Sequence, residues 1–279
     1  MKTVEEVLHY SFSYLKKRSC ENYKRASEEI VAFVLGLDRL DIYLQFERKI
    51  DSKTVEAIKK LLFKKAKGVP LEYILGKVTF FSCSINVNSS VLIPRVETEI
   101  LFEHFINRVK NLDLTNKVLF DVCTGTGCLA IAAKKHFPEL RVVASDISQS
   151  ALKMALKNAE ENKVTIQSLK GSLLSPFKNQ KADFIFCNPP YLSESEYLEA
   201  NNPFEPKIAL LSGKTGYEHY EKLSRSLHKH LNPGGKVLFE IGSTQKEGLN
   251  KIFNQPFWVK KEFYADWAGL DRFFFLEIE

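Results

Sequence analysis

The sequence predicts an α/β protein in which a mostly parallel sheet carries helices on both faces, ends in an antiparallel last strand, and follows a small helical module. Three observations point there. Short apolar runs alternate with helical patterns from residue 118 onward, the last two apolar runs have no helical pattern between them, and the first 75 residues are helical in period. A chain of 279 residues has room for both parts.

In the N-terminal part, Thr3 and Glu6 stand in capping-box spacing ahead of apolar Val4, Val7, Leu8, Phe12 and Leu15, the signature of an amphipathic helix. A second helix is expected over 23–36 and a short third after Asp38. A fourth, carrying Val55, Ile58, Leu61 and Leu62, should close at Gly68 ahead of Pro70. Lys49, Lys53, Lys59, Lys60, Lys64, Lys65 and Lys67 form a basic face within it, either a solvated surface or a docking patch. The stretch VTFFSCSINVN (78–88) alternates like two short strands about residues 82–84. The expected boundaries are therefore 1–75 for a helical bundle, 76–93 for a connecting hairpin and 94–279 for the main domain.

In that domain the expected strands are VLFDV (118–122), RVVAS (141–145), TIQSL (165–169), DFIFC (183–187) and KVLFEI (236–241). Helices should follow Cys128, cover 149–162, and include LSRSLHKHL. WVKKEFY and RFFFLEI read as a closing antiparallel hairpin.

Composition narrows the class. No apolar run nears the roughly 18 residues needed to cross a bilayer, and MKTVEEVLHYSF is acidic where a secretory signal is apolar, so no membrane association and a cytoplasmic location are expected. The cysteines, at 20, 83, 123, 128 and 187, include no CxxC pair, which points to small buried hydrophobes and to no metal site. The net charge of +6 is mild: it permits an acidic or RNA-rich partner without requiring one.

Two stretches carry chemistry. VLFDV runs into Cys123, Thr124, Gly125, Thr126 and Gly127 and then a helix, at the carboxyl end of a strand where open α/β sheets bind ligands. The glycines allow a sharp turn and a close approach of the backbone to a ligand. Nineteen residues past Gly127, Asp146 ends the next strand, where a carboxylate can accept both hydroxyls of a ribose. An adenosine-type cofactor fits this pattern. The turn alone leaves open NAD, S-adenosylmethionine, or a plain strand-to-helix connection. Asp121 could meet a cofactor amino group or simply favour the helix N-terminus.

The second stretch, Asn188-Pro189-Pro190-Tyr191, follows DFIFC on the same rim. Two prolines stiffen the backbone and aim the asparagine. An amide or exocyclic nitrogen is a poor nucleophile because its lone pair is delocalised, so it must be held and polarised. The Asn188 side-chain oxygen and the Pro189 carbonyl can each accept one N–H of a planar NH2 group, and Tyr191 can wall a sulfonium by cation–π attraction.

With these motifs in view, the chain resembles the release-factor glutamine methyltransferases, the PrmC/HemK family, over almost its whole length. DVCTGTGCLAIA, NPPYL, VLIPRVETE (91–99), FEPKIALLSGKTGYEHY (204–220) and LNPGGKVLFEIG (231–242) carry the resemblance. It implies a Rossmann-like class I methyltransferase domain behind a helical N-terminal domain. It implies that residues 123–127, Asp146 and Asn188 hold S-adenosylmethionine, which leaves as S-adenosyl-L-homocysteine. Asn188 to Tyr191 would hold the glutamine of the Gly-Gly-Gln loop of class I peptide chain release factors, and the N-terminal domain would grip the factor elsewhere. The chain departs from the family's usual pattern at Cys123, where glycine is common, at Val96, and at Ser172 and Leu173, which border the adenine and replace an acidic residue and often an aromatic one.

The main rival is an adenine or cytosine amino-methyltransferase of nucleic acid, which presents an NH2 to a similar motif. Such enzymes extrude the base and usually carry a pronounced basic surface, so direct nucleic-acid binding is not expected at a charge of +6. A dehydrogenase would need a proton-relaying pair that the sequence does not offer, and a noncatalytic module would leave two aligned sites unexplained.

Overall fold

In the computed structural model, which describes residues 2–279, Thr3 caps the first helix as its spacing with Glu6 predicts. Its hydroxyl accepts from the Glu6 N–H at 3.2 Å, and the Glu6 carboxylate accepts from the Thr3 N–H at 2.9 Å. Two compact units divide between Lys77 and Val78. In the first, β1 (Lys2–Thr3) leads into α1 (Val4–Lys16) and α2 (Tyr23–Leu35), and the short third helix is a 3-10 turn, Asp41–Gln45. β2 (Lys49–Ile50) pairs antiparallel with β1, and α3 (Ser52–Ala66) and α4 (Leu71–Leu75) complete the unit. Val4, Leu8, Ile30, Ile58 and Leu62 form its core. Glu28, nearly buried, is satisfied by Arg39 Nη1 and the Tyr43 hydroxyl, each at 2.6 Å. The lysine face is solvated apart from the half-buried Lys65.

The division falls after the first residue of β3 (Lys77–Phe80), so the second unit opens with the rest of that strand and its hairpin partner β4 (Cys83–Asn86). Phe81 and Ser82 join them at φ 45° and 64°, the positive values that a two-residue turn matched to strand twist requires. α5 (Val96–Val109) follows. Then come β5 (Val118–Val122), α6 (Cys128–His136), β6 (Arg141–Asp146), α7 (Gln149–Glu161), β7 (Gln167–Lys170) and β8 (Ala182–Cys187). After β8 lie β9 (Leu192–Ser193), α8 (Glu194–Ala200), β10 (Leu211–Gly213) and α9 (Glu218–Ser224). β11 (Leu231–Glu240), α10 (Lys246–Ile252), β12 (Trp258–Ala265) and β13 (Asp271–Ile278) end the chain.

Seven strands form one sheet in the order β12-β13-β11-β8-β5-β6-β7. From β11 to β7 the pairs are parallel, and β13 runs antiparallel between β11 and β12. The closing hairpin thus forms as expected, with its second strand inserted inside its first. LSRSLHKHL is helical only in part: α9 ends at Ser224, and a 3-10 turn at Leu227–His230 feeds β11.

Alternation along each strand divides its side chains between two cores. Phe120, Ile185, Val237 and Phe239 face Phe177, Tyr220, Leu249 and Phe253. On the other side Phe184 and Phe186 meet Phe105 of α5, with ring centroids 5.2 and 4.8 Å apart. Both faces being covered explains why β8 is apolar from Phe184 to Cys187.

A buried asparagine ties the hairpin to the glycine turn. Asn158 of α7, fully buried, accepts from the Asn86 N–H and side-chain NH2, both at 2.8 Å. It donates to the Asn86 carbonyl at 3.1 Å and the Thr126 carbonyl at 2.9 Å. Truncation would remove four hydrogen bonds, only the Asn86 NH2 keeping another acceptor in Glu161, so Asn158→Ala should cost about 2–4 kcal/mol, read as a lower urea midpoint at unchanged m value. A midpoint within error of wild type would show that the network carries no stability.

Candidate active site

Strand register sets the site. Ser145 of β6, Val122 of β5, Cys187 of β8 and Phe239 of β11 are consecutive cross-strand partners. One residue further along each strand stand Asp146, Cys123, Asn188 and Glu240, so four polar positions lie in a row along the carboxyl rim. Asp146, Cys123 and Asn188 line a cleft of about 1050 Å³ with its open mouth included, and Glu240 stands behind it. Cys123, Thr124, Gly125, Thr126, Asp146, Leu173, Asn188 and Pro190 all line it.

The turn after β5 is held by its own backbone. Thr124 N–H donates to the Ser145 carbonyl at 2.9 Å and Gly127 N–H to the Thr124 carbonyl at 2.8 Å. Asp146 spans its neighbours: one carboxylate oxygen accepts from Gly125 N–H at 2.9 Å, the other from Ser148 N–H at 2.8 Å. Burial raises its pKa. Each oxygen keeps a lone pair after these bonds, which is the capacity two hydroxyls need. At Gly125, with φ 54°, a Cβ would meet nothing within 4 Å, so the missing side chain leaves open space in the cleft. Gly127 is different. It does not line the cleft, and a Cβ there would lie 2.9 Å from the Ala155 Cβ, so this glycine permits α6 to pack closely on α7.

Cys123 has φ 62°, left-handed backbone that a glycine enters without strain and a cysteine does not. Its departure from the resembled pattern therefore has a backbone cost. Leu173 shares that conformation, φ 50°, beside Ser172 on the cleft wall.

Asp121 is 2% exposed, and its Oδ2 accepts from the Thr124 hydroxyl at 2.5 Å and the Ala130 N–H at 3.2 Å. It thus braces the turn and the start of α6, as the helix-terminus alternative expects. Burial pushes its pKa to about 7, against the pull of those two bonds.

Of the four residues beginning at Asn188, Asn188 and Pro190 face the cleft, and Pro189 and Tyr191 are not among its lining residues. The expected aromatic wall is not what Tyr191 provides: its ring packs against the core below, where burial raises its pKa. Its carbonyl accepts from Gln245 Nε2 at 3.1 Å, and the same nitrogen reaches the Gly216 carbonyl at 3.0 Å. Tyr191 therefore anchors the loop. Glu240, one step beyond the Phe239–Cys187 pair and so beside Asn188, accepts from the Thr98 hydroxyl at 2.6 Å, and burial raises its pKa.

Other lining residues escaped the sequence reading, among them 90–92, Pro94, Arg95, Thr98, Pro206, 208–209 and His219. The two longest motifs, VLIPRVETE and FEPKIALLSGKTGYEHY, held them without giving a physical reason to assign them. Glu205 joins these walls, accepting from the Ile93 N–H at 3.0 Å, from Arg95 Nη2, and from Asn202 Nδ2 at 2.6 Å. His219 Nδ1 lies 2.9 Å from the Ser212 hydroxyl, and burial lowers the ring's pKa.

A rim cleft at the switch point of a seven-stranded sheet with an antiparallel inserted strand is the architecture of the class I methyltransferases. The comparisons narrow this further. Residues 96–204 match the Methyltransferase small domain family and residues 6–76 the PrmC N-terminal domain family. The chain is 37% identical over 277 residues to the Release factor glutamine methyltransferase of Chlamydia trachomatis serovar D, covering 98% of this chain and 94% of that one. It is 32% identical to the enzyme of the same name from Geobacter sulfurreducens, covering 97% and 95%. The chain belongs to the release factor glutamine methyltransferase family. Among solved structures, the hMettl16 catalytic domain in complex with MAT2A 3'UTR hairpin 6 superposes with a TM-score of 0.55 at 16% identity, covering 81% of this chain and 82% of that one. A methyltransferase from Pyrococcus furiosus gives 0.52 at 20%, covering 71% and 89%. Both share the fold. Among the described residues no helix is long and apolar enough to cross a membrane.

The braces around the cleft can each be tested. Gly216 has φ 86°, and a Cβ there would sit 2.8 Å from the Tyr191 carbonyl. Gly216→Ala should shift that loop and lower kcat roughly ten- to hundredfold while cofactor affinity, measured by calorimetry, changes little. An unchanged kcat would mean that the loop tolerates the displacement. Asp121 holds its proton more tightly folded than unfolded, so its contribution to stability is complete below pH 3.8 and is lost as the pH rises through about 7. Asp121→Asn should escape that loss. Relative to wild type it should gain on the order of 1 kcal/mol or more between pH 4 and pH 8 in denaturant titrations, and parallel curves would contradict the shift.

Proposed function

We propose that this chain transfers a methyl group from S-adenosylmethionine to the side-chain amide nitrogen, N5, of the glutamine in the Gly-Gly-Gln loop of class I peptide chain release factors. The single observation that carries this reading is that Asn188 and the pair Gly125 and Asp146 line one cleft. The family relatives, named for release factor glutamine methylation, supply the substrate class.

The cleft suits the cofactor: Gly125 leaves room for it, Asp146 keeps lone pairs for ribose hydroxyls, and Ser172 and Leu173 offer a wall for the adenine. When bound, S-adenosylmethionine supplies a methyl group on a cationic sulfur and is converted to S-adenosyl-L-homocysteine. The chain's own part is to hold the acceptor. Asn188 Oδ1 and the Pro189 carbonyl each accept one N–H of the glutamine amide, which fixes its plane and directs the nitrogen's electron density outward. The stiff prolines keep those two oxygens at a set spacing. The nitrogen's surplus proton passes to water, so the scheme requires neither a strong base nor a metal. In this reading the N-terminal unit grips the factor away from the reacting loop and its lysine face is the contact, which places the work in the cytoplasm, where translation terminates.

The test is transfer of labelled methyl from S-adenosylmethionine to a release factor, to its Gln→Ala loop variant, and to DNA. Label on the intact factor alone is expected, and label on DNA would overturn the proposal in favour of nucleic-acid amino-methylation. In the same assay Asn188→Ala should bind cofactor normally and lose on the order of a hundredfold or more in turnover. Turnover within about twofold of wild type would remove Asn188 from its role.

A further inference from the structure

An asparagine side chain has two ends of nearly the same shape, one a hydrogen-bond acceptor and the other a double donor. A cleft that must accept the N–H groups of an amide needs the oxygen end outward, and the prolines around Asn188 fix its backbone without selecting between the ends. The selection must come from whatever touches the buried side of the group.

That neighbour is Glu240. It ends β11, the strand beside β8, and its backbone partner position is one residue beyond the pair Phe239 and Cys187. It is 2% exposed. Its carboxyl accepts from the Thr98 hydroxyl at 2.6 Å, and the register sets it beside the side chain of Asn188. Thr98 and Asn188 both line the cleft, whereas Glu240 lies behind them. Burial raises the Glu240 pKa and the Thr98 hydroxyl opposes that rise; in its ionised form the carboxylate only accepts, so the Asn188 end that faces it is the NH2, which turns Oδ1 to the cleft.

We propose that Glu240 is the positioning residue for methyl transfer, selecting the orientation of the Asn188 amide from behind the cleft while Thr98 holds the carboxylate in place. The inference rests on the reading that Asn188 grips the substrate amide. Glu240 touches neither cofactor nor substrate and acts only through Asn188.

Exchanging donor and acceptor separates this role from a structural one. Asn188→Asp loses the NH2 and sets two carboxyl groups against each other, so kcat should fall by about a hundredfold. Glu240→Gln alone frees the Asn188 amide to turn either way and should lower kcat about tenfold, with the KM for the release factor and the affinity for S-adenosylmethionine changing less than about threefold. In the double variant Asn188→Asp/Glu240→Gln the amide introduced at position 240 donates its NH2 to the carboxylate introduced at position 188, and its oxygen still accepts from Thr98. The kcat of this double variant should exceed that of Asn188→Asp by at least about tenfold, because the same hydrogen bond is rebuilt in reverse. A residue with a merely structural role would add its damage instead. A double variant no faster than Asn188→Asp, or less able to fold, overturns the proposal even where Asn188→Ala is inactive. An Asn188→Ala enzyme of full activity would instead overturn the reading on which it rests. Should Glu240→Gln fail to fold by itself, the double variant compared with Asn188→Asp still decides.

Discussion

The site depends on the parallel register of four strands. Hydrogen bonding between β6, β5, β8 and β11 aligns Ser145, Val122, Cys187 and Phe239, and the next residue of each strand is polar and meets the rim cleft or lies just behind it. A slip of one residue in any of these strands would turn its rim residue from one face of the sheet to the other. The two cores guard against this, because Phe120 and Phe184 must each stay on their own side. Hydrophobic packing thus fixes the positions of groups that contribute little to it.

The same row concentrates polar groups where water is scarce. Asp121, Thr98 and Glu240 are almost fully buried, and every carboxyl among them has named donors. Such a network is rigid when satisfied and costly when broken, which suits a surface that must present fixed acceptors to a ligand. Its braces come from separate elements: Gln245 from the start of α10 holds the carbonyls of Tyr191 and Gly216, and Glu205 holds the segment before α5. The cleft is shaped by side chains that do not enter it.

Sequence reading reached the sheet because its signals are local. Buried parallel strands are mostly apolar, the cap at Thr3 and Glu6 is a spacing, and Gly125 and Asp146 lie at or just past strand ends. β7 was the least legible strand, beginning two residues later than expected, since an edge strand with half-exposed residues has a weak pattern. The inserted place of β13 left no trace, because strand order is decided by distant pairing. Gly127 and Tyr191 were assigned to the ligand by their motifs. Each motif serves two purposes: Gly127 lets helices approach and Tyr191 anchors a loop, so a run of residues marks a region and not the direction of each side chain. Glu240 sits in a quoted motif, yet its use follows only from β11 lying beside β8.

Charge placement also limits what such a cleft can do quickly. On the proposed reaction, positive charge leaves the sulfur as the methyl moves, so negative groups close to it would stabilise the reactant more than the transition state and slow the step. The row answers this by kind of acceptor. Asp146, at one end, is braced by Gly125 and Ser148 and suits neutral hydroxyls. At the transfer end the proposed acceptors are an amide oxygen and a peptide carbonyl, neutral and preorganised. The carboxyl of Glu240 stands behind Asn188 and is held by the Thr98 hydroxyl, and burial raises the proton affinity of both Glu240 and Asp121. An asparagine with a carboxylate behind it can therefore polarise the substrate amide without placing a full negative charge beside the departing methyl group.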